Sequence, residues 1–167
     1  MSEEGSGPAA TILLVDDEAD ILTAMRRYLE RRLPSIEVIT AHSGPEALEA
    51  LAAREVHLVI TDYRMPAMDG LAFMTEVARR SPATLRMMMT AYPDMDLAIR
   101  AVNEQKVCYF FVKPVDPTEL AKAVADALDQ ARRDLLRDEA LREADALVKD
   151  LWSLAGRPSQ EGGRNGP

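Results

Sequence analysis

The stretch LVITDYRMPAMDG, Leu58–Gly70, begins as a buried strand and ends as a turning loop. Leu58, Val59 and Ile60 are strand formers, and Thr61 suits the same geometry. Asp62 then puts a carboxylate where burial penalises charge. Pro66 and Gly70 follow, one stiffening the loop and one letting it turn. An acid at the tip of a core strand needs a reason.

Outward from that stretch the same alternation recurs. TILLVD (Thr11–Asp16), IEVITA (Ile36–Ala41), VHLVIT (Val56–Thr61), LRMMMT (Leu85–Thr90) and VCYFFV (Val107–Val112) are short apolar runs of strand composition. Helical spacing separates them. It runs through Ile21, Leu22, Met25 and Leu29 before Pro34, then through Ala47, Leu48 and Leu51, then near Asp69–Arg80 and Asp94–Gln105. Ser43, with Pro45 in the first turn and Glu46 three residues on, is a capping box that opens the second helix. Five strands, each followed by a helix, need crossover connections. The expected fold is therefore α/β, a mainly parallel sheet with helices on both faces. Sites in such sheets lie beyond the carboxyl ends of the strands. Those ends carry Asp16-Asp17, Asp62, Thr90 and Lys113-Pro114, whereas strand two ends blandly on Ala41-His42.

Three carboxylates gathered in one place repel one another and raise each other's pKa. A hard divalent cation relieves the conflict, and oxygen ligands suit Mg²⁺. Lys113 adds a fixed positive charge from another strand, and Thr90 a hydroxyl. Such a set cradles a phosphoryl group, with one carboxylate as the nucleophile of an aspartyl phosphate.

LLVDDE, LVITDYRMPAMDG, MMMTAY and FFVKP, in that order, resemble the receiver domain of two-component response regulators. The resemblance covers roughly residues 10–130. It implies a flavodoxin-like (βα)5 fold, a doubly wound five-stranded sheet in the order 2-1-3-4-5. It also implies that Asp62 is the phosphoacceptor, Asp17 a direct Mg²⁺ ligand, and Asp16 a residue that holds or positions the metal's water. Arg64 would lend its backbone carbonyl to the metal. Thr90 matches the switch hydroxyl, Lys113 the lysine that pairs with the phosphoryl group, and Phe110 the aromatic that turns inward on activation. The Lys113–Pro114 bond would be cis, as only X–Pro bonds readily are. Arg64 and Tyr92 are bulky or charged at the positions flanking the phosphoryl site, and are expected to slow hydrolysis. Gln105 stands where relatives often end the fourth helix with Gly. The implied function is a response regulator phosphorylated by a histidine kinase or phosphotransfer protein, signalling to a downstream protein target. It would be no enzyme beyond self-directed phosphotransfer and autodephosphorylation. Receivers with DYRMPAMDG and TAYPD wording often precede phosphodiesterase or ATPase output domains, so an N-terminal fragment of a larger regulator is the alternative. An Asp-nucleophile phosphatase of the haloacid dehalogenase type wants a DxD arrangement that Asp16-Asp17-Glu18 lacks.

The bulk properties agree. A chain of 167 residues, 47% hydrophobic and 29% charged, is about one domain with room for an appendage. A net charge of −8 argues against a nucleic-acid partner. With one cysteine there is no internal disulfide and no multi-cysteine zinc site. No apolar run is long enough for a signal peptide or a membrane span, so a cytoplasmic location is expected. His42 and His57 read as structural, Met87–Met89 as strand core, and Cys108 as a small apolar core residue.

A helical pattern starts near Pro117 and continues through Leu154, without Gly or Pro until Gly156. Residues 131–155 therefore form an extended helix beyond the receiver. Ala140, Ala144, Leu147, Leu151 and Leu154 recur at four and three residues, a heptad-like seam. A parallel coiled-coil homodimer is the expected cover for that seam, the alternative being a signalling helix that folds back or docks on another protein. Residues 1–10 and 156–167 are polar or rich in Gly and Pro, and are expected to be disordered.

Overall fold

The computed structural model describes residues 9–92, 94–105 and 107–154; the ends expected to be disordered lie outside these residues, save for Ala9 and Ala10. The elements are β1 (Ala10–Val15), α1 (Ala19–Arg32), β2 (Ile36–Ala41), α2 (Gly44–Ala53), β3 (Leu58–Asp62), α3 (Gly70–Arg80), β4 (Leu85–Thr90), α4 (Met95–Gln105), β5 (Tyr109–Val112) and α5 (Pro117–Leu154). The strands form one parallel sheet in the order β2-β1-β3-β4-β5. That is the doubly wound order the sequence implies. The fourth helix ends at Gln105.

Local chemistry sets the element boundaries. Ser43 caps α2 by accepting the Glu46 N–H, and Glu46 Oε2 reaches back to the His42 N–H at 2.7 Å, one residue before the N–H that a reciprocal capping box would use. Asp69 caps α3 by accepting the Ala72 N–H at 2.8 Å. β3 begins at Leu58 rather than Val56; the His57 backbone still bonds to both neighbours, its N–H to the Thr11 carbonyl and its carbonyl to the Leu85 N–H, both at 2.9 Å, while its ring Nδ1 accepts the Thr11 N–H at 3.1 Å. β5 begins at Tyr109 rather than Val107, and Cys108 precedes it as an exposed residue. The core placement expected for Cys108 is thus corrected. Its thiol nevertheless turns inward and donates to the Arg86 carbonyl at 3.2 Å, and burial pushes its pKa up.

Alternation along the strands feeds two cores, one on each face of the sheet. Leu13, Val15, Val59 and Met88 meet Ala47, Phe73, Val77 and Ala101 from α2, α3 and α4. Ile12, Leu14, Ile60, Met87 and Met89 meet Leu22, Leu29, Leu120 and Val124 from α1 and α5. Each of the larger side chains contributes roughly 1.5–3 kcal/mol on burial, and the two alanines less. The sheet is therefore a rigid platform for what its ends carry.

The chain divides into two compact units, Met1–Leu128 and Asp129–Pro167. In the second unit, every residue from Arg132 to Ser153 is exposed, including Leu135, Leu141, Leu147, Leu151 and Trp152. Among the described residues no helix is long and apolar enough to cross a membrane.

Candidate functional site

β1 and β3 are neighbours, so the acids at their ends converge. Asp16, just past β1, is fully buried; its Oδ1 accepts the Glu18 N–H at 2.9 Å and its Oδ2 faces Lys113 Nζ at 2.8 Å. Asp62, the last residue of β3, presents Oδ1 to the same ammonium at 3.1 Å. Asp17 is exposed beside them. One carboxylate oxygen each from Asp16, Asp17 and Asp62 falls within 4.8 Å of the others. Three hard oxygen donors at this spacing, two of them buried, fit a small divalent cation. The structure thus brings together the four charged residues that the sequence places at strand ends, Asp16, Asp17, Asp62 and Lys113.

Burial raises the pKa of the Asp62 carboxyl; the hydrogen bond and charge of Lys113 pull it down, but not enough to reverse the shift. The charge on Asp16 adds to the rise. Burial alone would lower Lys113, yet the hydrogen bond and charge of Asp16, and then of Asp62, raise it. Lys113 therefore stays an ammonium, shared between two acids that would otherwise repel each other. The Lys113–Pro114 peptide is cis, and Lys113 N donates to the Thr90 carbonyl at 2.7 Å, tying β5 to β4.

Thr90 ends β4, one step beyond Met89, the register partner of Asp62. It is buried, and its Oγ1 accepts the Tyr92 N–H at 3.1 Å while facing the Tyr92 carbonyl at 3.3 Å. Phe110, on β5, is half-buried against the core on the α2–α4 side. Arg64 is exposed, and its Cζ lies 4.1 Å from the centroid of the Tyr92 ring. The resemblance sets both residues beside the phosphoryl site, but nothing in the sequence stacks one on the other, since they lie on different loops. The loop after β3 is tightly built: Tyr63 N donates to the Met89 carbonyl, and Gly70 N donates back to the Tyr63 carbonyl at 2.7 Å. Ala67 in that loop has a φ of 67°, a left-handed conformation with no sequence signal, since Ala rarely adopts it.

The family model for the response regulator receiver domain matches residues 12–125. The chain belongs to that family. This receiver is 39% identical over 137 residues to the transcriptional regulatory protein GlrR of Escherichia coli K12, covering 81% of the chain and 29% of GlrR. It is 32% identical over 160 residues to the DNA-binding transcriptional regulator NtrC of the same organism, covering 89% of the chain and 33% of NtrC. Among solved structures it is similar to the signal receiver domain of an HD domain-containing protein from Pseudomonas fluorescens Pf-5. There the TM-score is 0.67 and the identity 33%, over 74% of this chain and 98% of that one. The receiver spans about a third of the length of these curated relatives. It is homologous to the response regulators of two-component systems. The relatives qualify one expectation: GlrR and NtrC are transcriptional regulators, so the absence of a nucleic-acid partner does not extend to proteins of that kind.

Proposed function

We propose that Asp62 is the phosphoacceptor of this receiver, charged by a histidine kinase or phosphotransfer protein in the presence of Mg²⁺. The observation that carries the reading is the bridging of Asp16 and Asp62 by one ammonium, at 2.8 and 3.1 Å, beside the three-acid cluster. Asp62 Oδ would attack phosphorus in line. A P–O bond forms as the donor's P–N bond breaks, and the departing imidazole nitrogen regains its lone pair and a proton. Lys113 would follow the charge onto the phosphoryl oxygens, and Thr90 would donate its hydroxyl to one of them. Asp17, Asp62 and the Arg64 carbonyl would hold the metal directly and Asp16 its water. When bound, Mg²⁺ supplies charge neutralisation for the transferred group. Thr90 and Phe110 would pass the change to the surface, where a downstream protein reads it. Arg64 and Tyr92 would shield the phosphoryl group from water; a phosphate-release time course on Arg64→Asn and Tyr92→Ala tests this, and unchanged rates would discard it.

Treatment with acetyl phosphate and Mg²⁺ tests the main reading. One acid-labile phosphoryl group per chain is expected by mass spectrometry, with none on Asp62→Asn. Turnover of many phosphate esters would instead indicate a phosphatase.

A second reading is favoured by the length of the relatives. Residues 11–130 would be the receiver of a longer regulator, and residues 131–155 a signalling helix leading to its output domain. The row of exposed leucines on α5 supports pairing with a second copy of the chain. Sedimentation at micromolar concentration, with and without a phosphoryl mimic, tests that pairing.

A further inference from the structure

The Thr90 hydroxyl is occupied by a single neighbour. Its Oγ1 accepts from the Tyr92 N–H at 3.1 Å and donates to the Tyr92 carbonyl at 3.3 Å. A hydroxyl has one hydrogen, so Thr90 cannot donate to an oxygen on Asp62 while that hydrogen is given to Tyr92. The Tyr92 ring is in turn covered by the Arg64 guanidinium, 4.1 Å from its centroid and well inside the ~6 Å reach of a cation–π contact. Arg64 has no carboxylate partner among the described residues, and the ring is what holds its guanidinium. Arg64 lies two residues past Asp62 and Tyr92 two past Thr90, on adjacent strands. The stack therefore fastens the loop after β3 to the loop after β4, across the rim of the acid cluster.

We propose that Arg64 and Tyr92 are positioning residues that form a latch: their stack holds the Thr90 hydroxyl on the Tyr92 carbonyl and opposes its transfer to a phosphoryl oxygen. The latch rests on the reading of Asp62 as phosphoacceptor. It acts through Thr90 and is separate from any shielding of the phosphoryl group against water. In this latch the Thr90 hydroxyl leaves the Tyr92 backbone when a phosphoryl oxygen captures it, and the loop after β4 is then free to part from Arg64. The unphosphorylated state keeps the contact and the phosphorylated state gives it up.

Beryllofluoride with Mg²⁺, a phosphoryl mimic, is titrated calorimetrically into the wild type, Arg64→Met, Tyr92→Leu and the double variant. Each single change is expected to tighten binding about two- to five-fold, the worth of one exposed cation–π contact. The double variant is expected to bind no tighter than either single one, because both remove the same contact. Tyr92→Phe keeps the ring and is expected to match the wild type. In the protein without metal or mimic, Arg64→Met is expected to speed exchange of the Tyr92 amide hydrogen by a similar factor. Unchanged or weaker binding in the single variants, or a double-variant effect equal to the product of the two, overturns the latch. If the wild type binds no beryllofluoride, or Asp62→Asn binds it equally well, the phosphoacceptor reading fails instead. The amide exchange then decides the latch alone, and an unaltered rate rejects it.

Discussion

Gly70 passes so close to β3 that a Cβ placed on it would lie 2.4 Å from the Asp62 carbonyl oxygen, 2.9 Å from Tyr63 Cα and 3.1 Å from the Asp62 carbonyl carbon. Carbon and oxygen in ordinary contact stand about 3.3 Å apart, so Gly70→Ala must displace backbone by roughly 0.9 Å. The loop cannot simply swing away, because Gly70 N is bonded to the Tyr63 carbonyl at 2.7 Å. Overpacking of this kind costs about 1–3 kcal/mol. The helix preference of Ala over Gly returns at most about 1 kcal/mol, and less in a first turn. A net loss of about 1–2 kcal/mol lowers the urea midpoint by about 0.5–1 M for a slope near 2 kcal/mol/M. The displaced atoms belong to Asp62 itself, so phosphoryl uptake is expected to fall by about ten- to a hundred-fold. Gly44→Ala is the matched comparison. Its Cβ would meet Met68 Sδ at 2.7 Å and Cγ at 2.9 Å, atoms of a flexible side chain that can turn aside. That variant is expected to lose less than about 1 kcal/mol. If Gly70→Ala unfolds at the same urea concentration as Gly44→Ala and still takes up phosphoryl at the wild-type rate, the close approach does not constrain Asp62.

Ala67→Gly relieves the left-handed strain at φ 67° and is expected to raise stability by about 0.5–1 kcal/mol after the entropy cost of Gly; a lower urea midpoint would contradict this. The Asp62 pKa is raised above its usual 3.8, so the folded state gives up stability as pH rises through the unfolded value to the folded one. Asp62→Asn is therefore expected to be more stable than the wild type at pH 7, with the difference vanishing near pH 3, as read from urea midpoints at both. Lys113→Met leaves Asp16 and Asp62 without their shared cation and is expected to cost about 2–4 kcal/mol at pH 7. The Lys113 pKa is raised, so its contribution is whole below the usual 10.5 and lost as pH passes the higher folded value; the variant should lack that alkaline decline. Magnesium at ten times its Kd is expected to add about 1.4 kcal/mol, or roughly 4–8 °C in thermal midpoint, and Asp17→Ala should abolish the shift.

The architecture was legible because periodicity and capping are local. Ser43 and Asp69 mark helix starts, all five apolar runs form strands, and the long helix begins at Pro117 as its spacing requires. The acid cluster was legible for a topological reason: parallel connections bring every carboxyl end to one edge, so the sequence positions of Asp16, Asp62 and Lys113 fix their meeting place. What was not legible depends on contacts between distant loops. The Arg64–Tyr92 stack joins residues 28 positions apart with no periodic relation. Ala67 gives no hint of its φ, whereas a Gly would have. Cys108 and His57 sit in runs of strand composition and keep backbone bonds to Arg86 and Thr11, but the side-chain bonds they also make to those residues leave no periodic mark in the sequence.

Met87, Met88 and Met89 send their unbranched thioethers alternately into the two cores, and Thr90 rides on the end of the strand they form. Branched side chains there would hold β4 more by shape, since Val and Ile are stiff at χ1. Thioether chains reshape themselves around a moving backbone without opening a void. β4 is thus upholstered on both sides, so that a sub-ångström slide of its tip would reach the helices above and below as a change of side-chain pose, not as a fracture of the packing.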